Sequence, residues 1–553
     1  MGLHPIDWCI ISLYGASLFL IAVFLVKSPK TSEGYFLAGR SLRWPFIGAS
    51  LFAANISAEH FVGLAGSGFA TGMAVGGFEW MAVYCVAVLC LLFLPFYIRN
   101  KIYTVPEFLE KRFSAAVRLL FSVFMMILSV LTKISVSLWA SSIVFSVLLG
   151  WNQLRVIWVV GLLTALYTMK GGLRTVVYTD ALQTTILLVA AVILTTISLQ
   201  HVGGWSGLHA RLGPGMFHMI KPATDPDYPW PGMFVGVFVL GSFYWAMDQV
   251  LVQRVFAARD LNEGRLGAIF AAFLKLLTPF LLVLPGLAAR ALFPNLRSAD
   301  DAYPTLLRRL MPAGLLGLTV AGIAAALMGH ISATYNSIAT LFTRDFYLRY
   351  KPGATQAEQI RVGRIAVLLI FALGALWAPV IGNFKSLFVY LQTVQAYLMM
   401  PLTGILFFGV LWKRTTSAGV IACIAATVCL VPLFIYNAQV IQAGGSALLP
   451  FMAHPLLRPW LHSAMLAALL SMMVLCGVSL LTRSISEDRL RLTTVSWRLA
   501  GRTPASAIGR GSGSLWDEGV ARAGGLRPTW SRDYRLWLAV VVCAASLLWW
   551  WMR

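Results

Sequence analysis

Long apolar stretches, separated by short polar segments, follow one another along almost the whole chain. A helix that crosses a bilayer needs about 20 predominantly apolar residues. Charged residues make up only 12% of the 553 positions, against about 25% in a typical soluble protein. We therefore expect an all-α polytopic membrane protein with about 14 transmembrane helices in a lipid bilayer. The stretches lie near residues 6–26, 44–70, 75–97, 117–149, 154–169, 176–200, 232–252, 266–289, 313–343, 365–381, 386–411, 416–436, 462–482 and 536–552.

Lys and Arg residues indicate which side of the membrane each connecting segment faces, because short cytoplasmic loops are enriched in them. If the N-terminus lies outside and the spans alternate, the inner segments contain most of the 43 Lys and Arg residues. We therefore expect a multi-pass protein of the cell membrane, inner or plasma, with its N-terminus outside. Since the basic residues flank the spans, the net charge of +22 does not indicate a nucleic-acid partner.

Several ionisable side chains lie inside the predicted spans, where they are costly and usually mark a solute or ion path. The second span also contains the polar run NISAEH at 55–60, which predicts a broken helix whose freed backbone groups line a midplane cavity. Each group alone is also compatible with a misplaced helix end or a satisfied hydrogen bond. Together they favour a solute pathway over a purely structural bundle. The ionisable residues are Glu79, Lys133, Asp180, Asp248, Lys275 and His330.

Enzyme motifs are missing from the sequence. It contains no H-E-x-x-H run, no nucleophile elbow and no P-loop, and most predicted inner loops are too short to form a catalytic domain. We therefore expect neither an enzyme nor a bound cofactor. An ion channel would also bury polar residues in its spans, so the residues alone leave that function open.

Distinctive motifs lie in collinear order along most of the chain. They include GRSLRWPFIGASLFAANISAEHFVGLAGSGFATGMAVGGFEWM at 39–81, MKGGLRTVVYTDALQT at 169–184, YWAMDQVLVQR at 244–254 and YLQTVQAYLMMP at 390–401. In these motifs the chain closely resembles the sodium/glucose cotransporters of the solute:sodium symporter family. The resemblance implies a five-plus-five inverted-repeat core, as in the bacterial leucine transporter, from the second predicted span to the eleventh.

The same resemblance implies a division of the chain into segments. An extra helix and a cytoplasmic loop precede the two repeats, and three further helices follow them. The expected boundaries are 1–43 for the extra helix and loop, 44–200 for the first repeat, 201–231 for an extracellular loop, 232–411 for the second repeat, 412–482 for two additional helices, 483–535 for a flexible cytoplasmic loop and 536–553 for the final helix.

The resemblance also implies a sugar site. Tyr244 matches the aromatic residue that closes the family's site from the cytoplasmic side, and Trp245 follows it. Gly241 and Ala82 depart from the family pattern, which has Thr or Asn and, in some members, Ser at these positions. The residues that match sugar-contacting positions are Asn55, His60, Glu79, Lys275 and Gln392. Such amides, charged groups and an imidazole suit the hydroxyls of a small neutral sugar or polyol.

At the coupling site this chain departs more strongly from the family pattern. The resemblance implies a sodium ion held by the carbonyls of Ala53, Ile56 and Ala326 and by two adjacent serines, but Gly329 and His330 stand where the serines are expected. A protonated imidazole can replace a bound cation, and histidine titrates near neutral pH. We therefore favour proton coupling through His330, with Asp180 as a relay, over sodium coupling through a rearranged site.

These implications together predict a secondary-active monosaccharide transporter that works by alternating access and carries a glucose-like or galactose-like solute with a cation. Two alternatives stay open. One is a sodium-coupled sugar or inositol symporter with a rearranged ion site, and the other is an uncoupled sugar uniporter or sensor. The particular sugar and the oligomeric state are not specified by the sequence, which is compatible with a monomer.

Overall fold

The computed structural model describes residues 4–21, 30–57, 60–383, 387–442, 445, 448–491, 493–495 and 533–553. Apart from two isolated bridges, Leu42 with Ala258 and Lys221 with Pro229, regular structure in this part of the chain is helical. In chain order the helices are α1 (Pro5–Leu20), α2 (Ser32–Leu37), α3 (Trp44–Asn55), α4 (Ala65–Thr71), α5 (Met73–Arg99), α6 (Val105–Arg112), α7 (Ala115–Val147), α8 (Gln153–Met169), α9 (Gly172–Val202), α10 (Gly204–Arg211), α11 (Gly232–Ala246), α12 (Gln249–Phe256), α13 (Leu261–Leu292), α14 (Ala302–Leu310), α15 (Leu315–Tyr350), α16 (Gln356–Gly382), α17 (Leu387–Leu411), α18 (Ser417–Gln442), α19 (Trp460–Leu481), α20 (Glu487–Arg491) and α21 (Tyr534–Trp551).

The number of spans differs from the sequence prediction. Among the described residues, 10 helices are long and apolar enough to cross a membrane, and the bent pair α11–α12 raises the number to 11. The other three predicted stretches are helical but shorter: α1 has 16 described residues, α8 is a short apolar helix, and the second stretch is divided between α3 and α4. The count of about 14 is therefore not confirmed, although helix occupies every predicted stretch.

Each of the two predicted repeats contains a broken helix that packs against several others. α3 packs against α13 and against the long helices α9 and α15, while α11 packs against α5 and α17. Outward-facing apolar side chains such as Leu163, Leu369 and Leu376 are more than half exposed. An apolar surface of this extent needs a lipid environment. Many polar side chains, by contrast, are buried inside the bundle.

The predicted outer loop, 201–231, is ordered and packs against the C-terminal end of α21. It contains α10, and the backbone N–H of Met219 donates to the carbonyl of Met552 at 3.0 Å. Trp205 stacks on Trp551 with ring centroids 6.2 Å apart. The loop therefore joins the region around the broken helices to the last helix, α21.

The long inner segment, predicted to be flexible, begins with ordered structure. α20 lies within it, Thr493 and Thr494 are buried, and the Val495 N–H donates to the Val410 carbonyl at 2.9 Å. The first residues of the segment thus lie against the end of α17. Residues 496–532 lie outside the described part of the chain, so flexibility there stays a prediction.

Candidate substrate cavity and cation region

The second predicted span is broken as its polar run predicts. α3 ends at Asn55, and Ile56 has an extended backbone with φ −83° and ψ 122°. Helical structure resumes at His60 as a wide π-type turn that leads into α4. The interruption releases backbone groups from helical hydrogen bonds in the interior of the bundle, where they can line a cavity.

The seventh predicted span is broken at the corresponding place in the second repeat. α11 and α12 meet at an angle of 49°. Asp248 lies at the bend, and its carboxylate accepts a hydrogen bond from the Val250 N–H at 2.9 Å, which caps the first turn of α12. Asp248 also pairs with Lys133 of α7, so both ionisable groups at this depth are compensated.

A cavity of about 80 Å³ lies between the two broken helices. Every substrate residue expected from the sequence lines it, although these residues come from distant parts of the chain. The lining residues are Asn55, His60, Phe78, Glu79, Ala82, Val237, Leu240, Gly241, Tyr244, Trp245, Lys275, Leu391, Gln392 and Gln395.

An ion pair crosses the wall of the cavity. Lys275 Nζ of α13 lies 2.5 Å from Glu79 Oε2 of α5, and both side chains are at most 7% exposed. His60 Nε2 lies 3.8 Å from the other carboxylate oxygen, Oε1. An unpaired charge at this depth would be strongly destabilising. The pair gives the cavity both a donor and an acceptor with no net charge.

Amide groups are available for a solute. Asn55 is 5% exposed, and its Oδ1 has no hydrogen-bond partner among the described residues. Within the same part of the chain, Gln392 and Gln395 make no hydrogen bond either. Sequence reasoning missed Gln395, although its position three residues after Gln392 puts both on one face of α17.

Aromatic and aliphatic side chains form the rest of the wall. Tyr244 and Trp245 make an edge contact with ring centroids 6.3 Å apart, and Lys133 Nζ lies 5.2 Å from the centre of the Tyr244 ring. Phe78 and Leu240 add apolar surface. A mixture of apolar surface and a few well-placed polar groups is typical of sites for small organic ligands.

The departure at Gly241 has a local physical reason. A Cβ atom at this position would lie 2.7 Å from the Sγ atom of Cys85, which is fully buried. Any side chain at position 241 therefore requires Cys85 to move. Ala82, the other departure, lines the same cavity without adding a polar group.

The cation region lies next to the cavity, where α15 passes the end of α3. His330 Nδ1 is 2.5 Å from the Ala54 carbonyl oxygen, so this nitrogen carries the hydrogen and donates it. Nε2 is buried and has no hydrogen-bond partner among the described residues. The imidazole thus occupies the expected ion region. Ala326, one turn earlier on α15, is buried, and so is Ile56 beyond the end of α3.

Two unpaired oxygens face Gly329. A Cβ atom at this position would lie 2.7 Å from Gln183 Oε1, 3.4 Å from Asp180 Oδ1 and 3.7 Å from the Cβ of Ala53. Neither oxygen has a hydrogen-bond partner in the described part of the chain. Gln183 was not predicted as part of this region, although it follows Asp180 by three residues on α9 and thus shares its face.

The second oxygen of Asp180 is engaged. Ser50 Oγ donates to Oδ2 at 2.5 Å, and Arg254 Nη2 lies 3.6 Å from the same atom. The part of the chain that the structure describes brings no three His, Cys, Asp or Glu side chains together as metal ligands. A cation here would therefore depend on amide and backbone oxygens together with one carboxylate.

Two broken helices around a partly polar cavity, inside a helical membrane bundle, are typical of the class of secondary transporters built on inverted repeats. The protein-family model described as "Sodium:solute symporter family" matches residues 35–427 of the sequence. The chain belongs to this family.

Similar proteins cover most of the chain. The sodium/glucose cotransporter 4 of Danio rerio is 35% identical in an alignment of 538 positions that covers 89% of this chain and 81% of the relative. The sodium/mannose cotransporter SLC5A10 of Bos taurus is 37% identical in an alignment of 553 positions that covers 91% of each chain. The sodium/myo-inositol cotransporter 2 of Homo sapiens is 38% identical in an alignment of 461 positions that covers 76% of this chain and 68% of the relative.

Solved structures share the fold. A Na+-coupled sialic acid symporter in a substrate-bound outward-open state matches with a TM-score of 0.75 and 20% identity, over 87% of this chain and 99% of that one. The nucleobase-cation-symport transporter Mhp1 in a closed conformation matches with a TM-score of 0.51 and 16% identity, over 85% and 99%. The transporter fold expected from the sequence is confirmed.

Proposed function

We propose that this protein is a secondary-active symporter that carries a small neutral sugar or polyol across the cell membrane by alternating access. The observation that carries the proposal is the cavity between the broken helices. Glu79 and Lys275 cancel each other's charge there, while Asn55 and Gln392 have hydrogen-bonding capacity that the described residues leave unused. A charged solute would add an uncompensated charge at this depth, whereas a polyol satisfies the amides.

The relatives' names support the same class of solute. They name glucose, mannose and myo-inositol, which are all uncharged rings with several hydroxyl groups. The proposed site residues are Asn55, His60, Glu79, Tyr244, Trp245, Lys275 and Gln392, all of which line one cavity. The Tyr244 and Trp245 rings would pack against the C–H face of the sugar ring.

For the coupling ion we propose a proton that is carried by His330. Nδ1 is held by the Ala54 carbonyl, so an added proton would bind at Nε2, which has no partner among the described residues. Lys133 and Arg254, two charged groups that act on the ring electrostatically, each lie beside a carboxylate. A proton at Nε2 therefore adds one charge to a region that is otherwise balanced, and the unpaired Asp180 Oδ1 is the proposed relay.

Sodium is the second candidate, and a separate observation supports it. Asp180 Oδ1 and Gln183 Oε1 are unpaired hard oxygen ligands beside Gly329, and the relatives' names include sodium. Under this alternative, carbonyls of Ala53, Ile56 and Ala326 complete the set. Separate proton and sodium gradients across a proteoliposome membrane distinguish the two ions. Equal substrate concentrations on both sides under either gradient would indicate uncoupled transport.

Replacing Asn55 tests the proposed substrate site. We expect Asn55→Ala to weaken binding of the preferred sugar about 3-fold to 10-fold, because one hydrogen bond contributes about 1 kcal/mol. The melting temperature should not fall, since Asn55 Oδ1 has no partner among the described residues that the substitution could remove. Titration of the purified protein with glucose, mannose and myo-inositol, followed by intrinsic fluorescence, measures the affinity.

Asn437→Ala is the matched control. Asn437 is also buried, but its Oδ1 accepts a hydrogen bond from the Leu449 N–H at 2.9 Å, far along the chain from the cavity residues. We expect this variant to lose thermal stability and to keep its sugar affinity. Unchanged affinity in Asn55→Ala would remove Asn55 from the proposed site.

We further propose that the chain lies in the cell membrane with its N-terminus outside, as its Lys and Arg distribution indicates. Gly213 and Gly353 offer test positions, because no heavy atom lies within 4 Å of a Cβ atom built at either residue. An epitope inserted at Gly213 should be labelled on intact cells, and one at Gly353 only after permeabilisation. The reverse pattern would invert the proposed orientation.

A further inference from the structure

Gln395 is a buried amide in the cavity wall that the predicted set of sugar residues does not include. It is 8% exposed and lies one turn after Gln392 on α17. Because residues three apart share a face of an α-helix, both amides point toward the same cavity, about 4.5 Å apart along the helix axis. Both residues line that cavity.

The amide of Gln395 has no protein partner in the described ranges. Its polar atoms are not among the fully buried atoms without a partner in these ranges, so they are accessible from the cavity that Gln395 lines. Another buried polar residue of the same helix is satisfied within the protein: Thr403 Oγ1 donates to the Val239 carbonyl at 3.0 Å. The Gln395 amide is therefore available to bind a molecule in the cavity.

The neighbouring wall is formed by α11, which packs against α17. It contributes Val237, Leu240 and Gly241, which carry no polar side-chain atom, and also the aromatic pair Tyr244 and Trp245. The ion pair of Glu79 and Lys275 comes from α5 and α13 instead. A solute bound between these walls meets two amides from α17 and charged groups from the other helices.

We propose that Gln395 binds one hydroxyl group of the transported polyol and thereby makes the transporter selective against the analogue that lacks this hydroxyl. An amide offers a donor and an acceptor, so one hydroxyl can accept from Nε2 and donate to Oε1. Gln392 then binds a different hydroxyl, one that is not adjacent on the ring, because the two amides are a helical turn apart. This inference rests on the proposed function and defines the solute as a ring with hydroxyls on at least two separated carbons.

A series of deoxy sugars tests the assignment. The series consists of 1-, 2-, 3-, 4- and 6-deoxyglucose. The wild-type protein should bind a member more weakly than glucose if the missing hydroxyl is one that the site recognises. Gln395→Leu, which keeps the volume of the side chain, should weaken glucose binding about 5-fold to 10-fold, in line with about 1 kcal/mol for one hydrogen bond. It should leave the affinity unchanged for the one deoxy sugar that lacks the hydroxyl bound by Gln395. That sugar therefore identifies the hydroxyl.

Control variants separate this role from a structural one. Gln392→Leu should single out a different deoxy sugar, and Gln395→Asn, with its amide withdrawn by one methylene, should give the same pattern as Gln395→Leu. Thr403→Val on the same helix should lower the melting temperature without changing any affinity ratio. Gln395→Leu should melt like the wild type, since it removes no hydrogen bond within the described protein.

The outcomes are distinguishable. If Gln395→Leu weakens the binding of glucose and of every deoxy sugar by the same factor, or weakens the binding of none of them, the role of Gln395 is overturned while the proposed function stands. If the wild-type protein binds none of glucose, galactose, mannose or myo-inositol, the proposed function is overturned and the assignment of Gln395 with it.

Discussion

Lys275→Met should abolish sugar uptake, with a decrease of at least about 100-fold, and should lower the melting temperature of the purified protein. The substitution leaves Glu79 as an unpaired carboxylate in a wall where the lysine is 2% and the glutamate 7% exposed. Removing one partner of a buried pair costs about 3–5 kcal/mol, because the remaining charge loses its compensation. Uptake of radiolabelled sugar into proteoliposomes and a thermal unfolding curve measure the two effects.

The chain offers a matched control for this variant. Lys111 also pairs with a glutamate, Glu107, but at 3.7 Å and with a side chain that is 40% exposed. An exposed pair contributes at most about 1 kcal/mol, so Lys111→Met should leave stability and uptake nearly unchanged.

A double variant separates stability from substrate binding. Glu79→Gln with Lys275→Met removes both charges, and we expect it to recover most of the stability but not the uptake. If Lys275→Met alone transports like the wild type, the ion pair is not part of the substrate site.

His330→Gln should uncouple uptake from the proton gradient. Glutamine is close to histidine in size but cannot take up a proton at its side chain. With one proton carried per sugar, a gradient of one pH unit supports at most about tenfold accumulation in the wild type. The variant should equilibrate sugar without accumulating it, and its sugar affinity should change little, since His330 does not line the cavity. Parallel measurements of accumulation and of equilibrium binding test both statements.

Restoring the serine pair tests the role of His330 through a gain of sodium dependence. Gly329→Ser with His330→Ser restores the serine pair expected in this family, and we expect sodium-dependent uptake to appear. The new side chain at position 329 meets Gln183 Oε1, 2.7 Å from its Cβ, so this amide has to turn away. Combining the double change with Gln183→Ala removes the obstacle. If neither version alters the ion requirement, His330 is not the coupling residue.

The sequence was informative where local chemistry decides the structure. A polar run inside an apolar stretch predicted the break after Asn55, and the structure places Ile56 in an extended conformation at that point. The resemblance to a known family identified residues that lie in one cavity although Asn55 and Gln392 are far apart in the chain. Family motifs carry this long-range information, which periodicity alone does not contain.

Other features depend on tertiary contacts that no local pattern specifies. Glu79 and Lys275 are 196 residues apart, and their pairing follows from the packing of α13 on α5. Gln395 and Gln183 share helix faces with predicted residues, but only the assembled bundle shows that Gln395 lines the cavity and that Gln183 Oε1 is buried without a hydrogen-bond partner among the described residues. The count of about 14 spans is not confirmed for a related reason, because broken and short helices enclosed by others need not reach the length of an isolated span.

The most direct test of the account is sugar accumulation in proteoliposomes with the proton and sodium gradients imposed separately. Radiolabelled glucose, galactose, mannose and myo-inositol are supplied one at a time, with a protonophore as control. The account predicts that an inward proton gradient alone concentrates at least one of these solutes above equilibrium and that the protonophore abolishes the effect. If accumulation requires sodium, the coupling site is formed by the oxygens around Gly329 and not by His330. If neither gradient concentrates any of the four solutes, the account of a cation-driven polyol symporter is wrong.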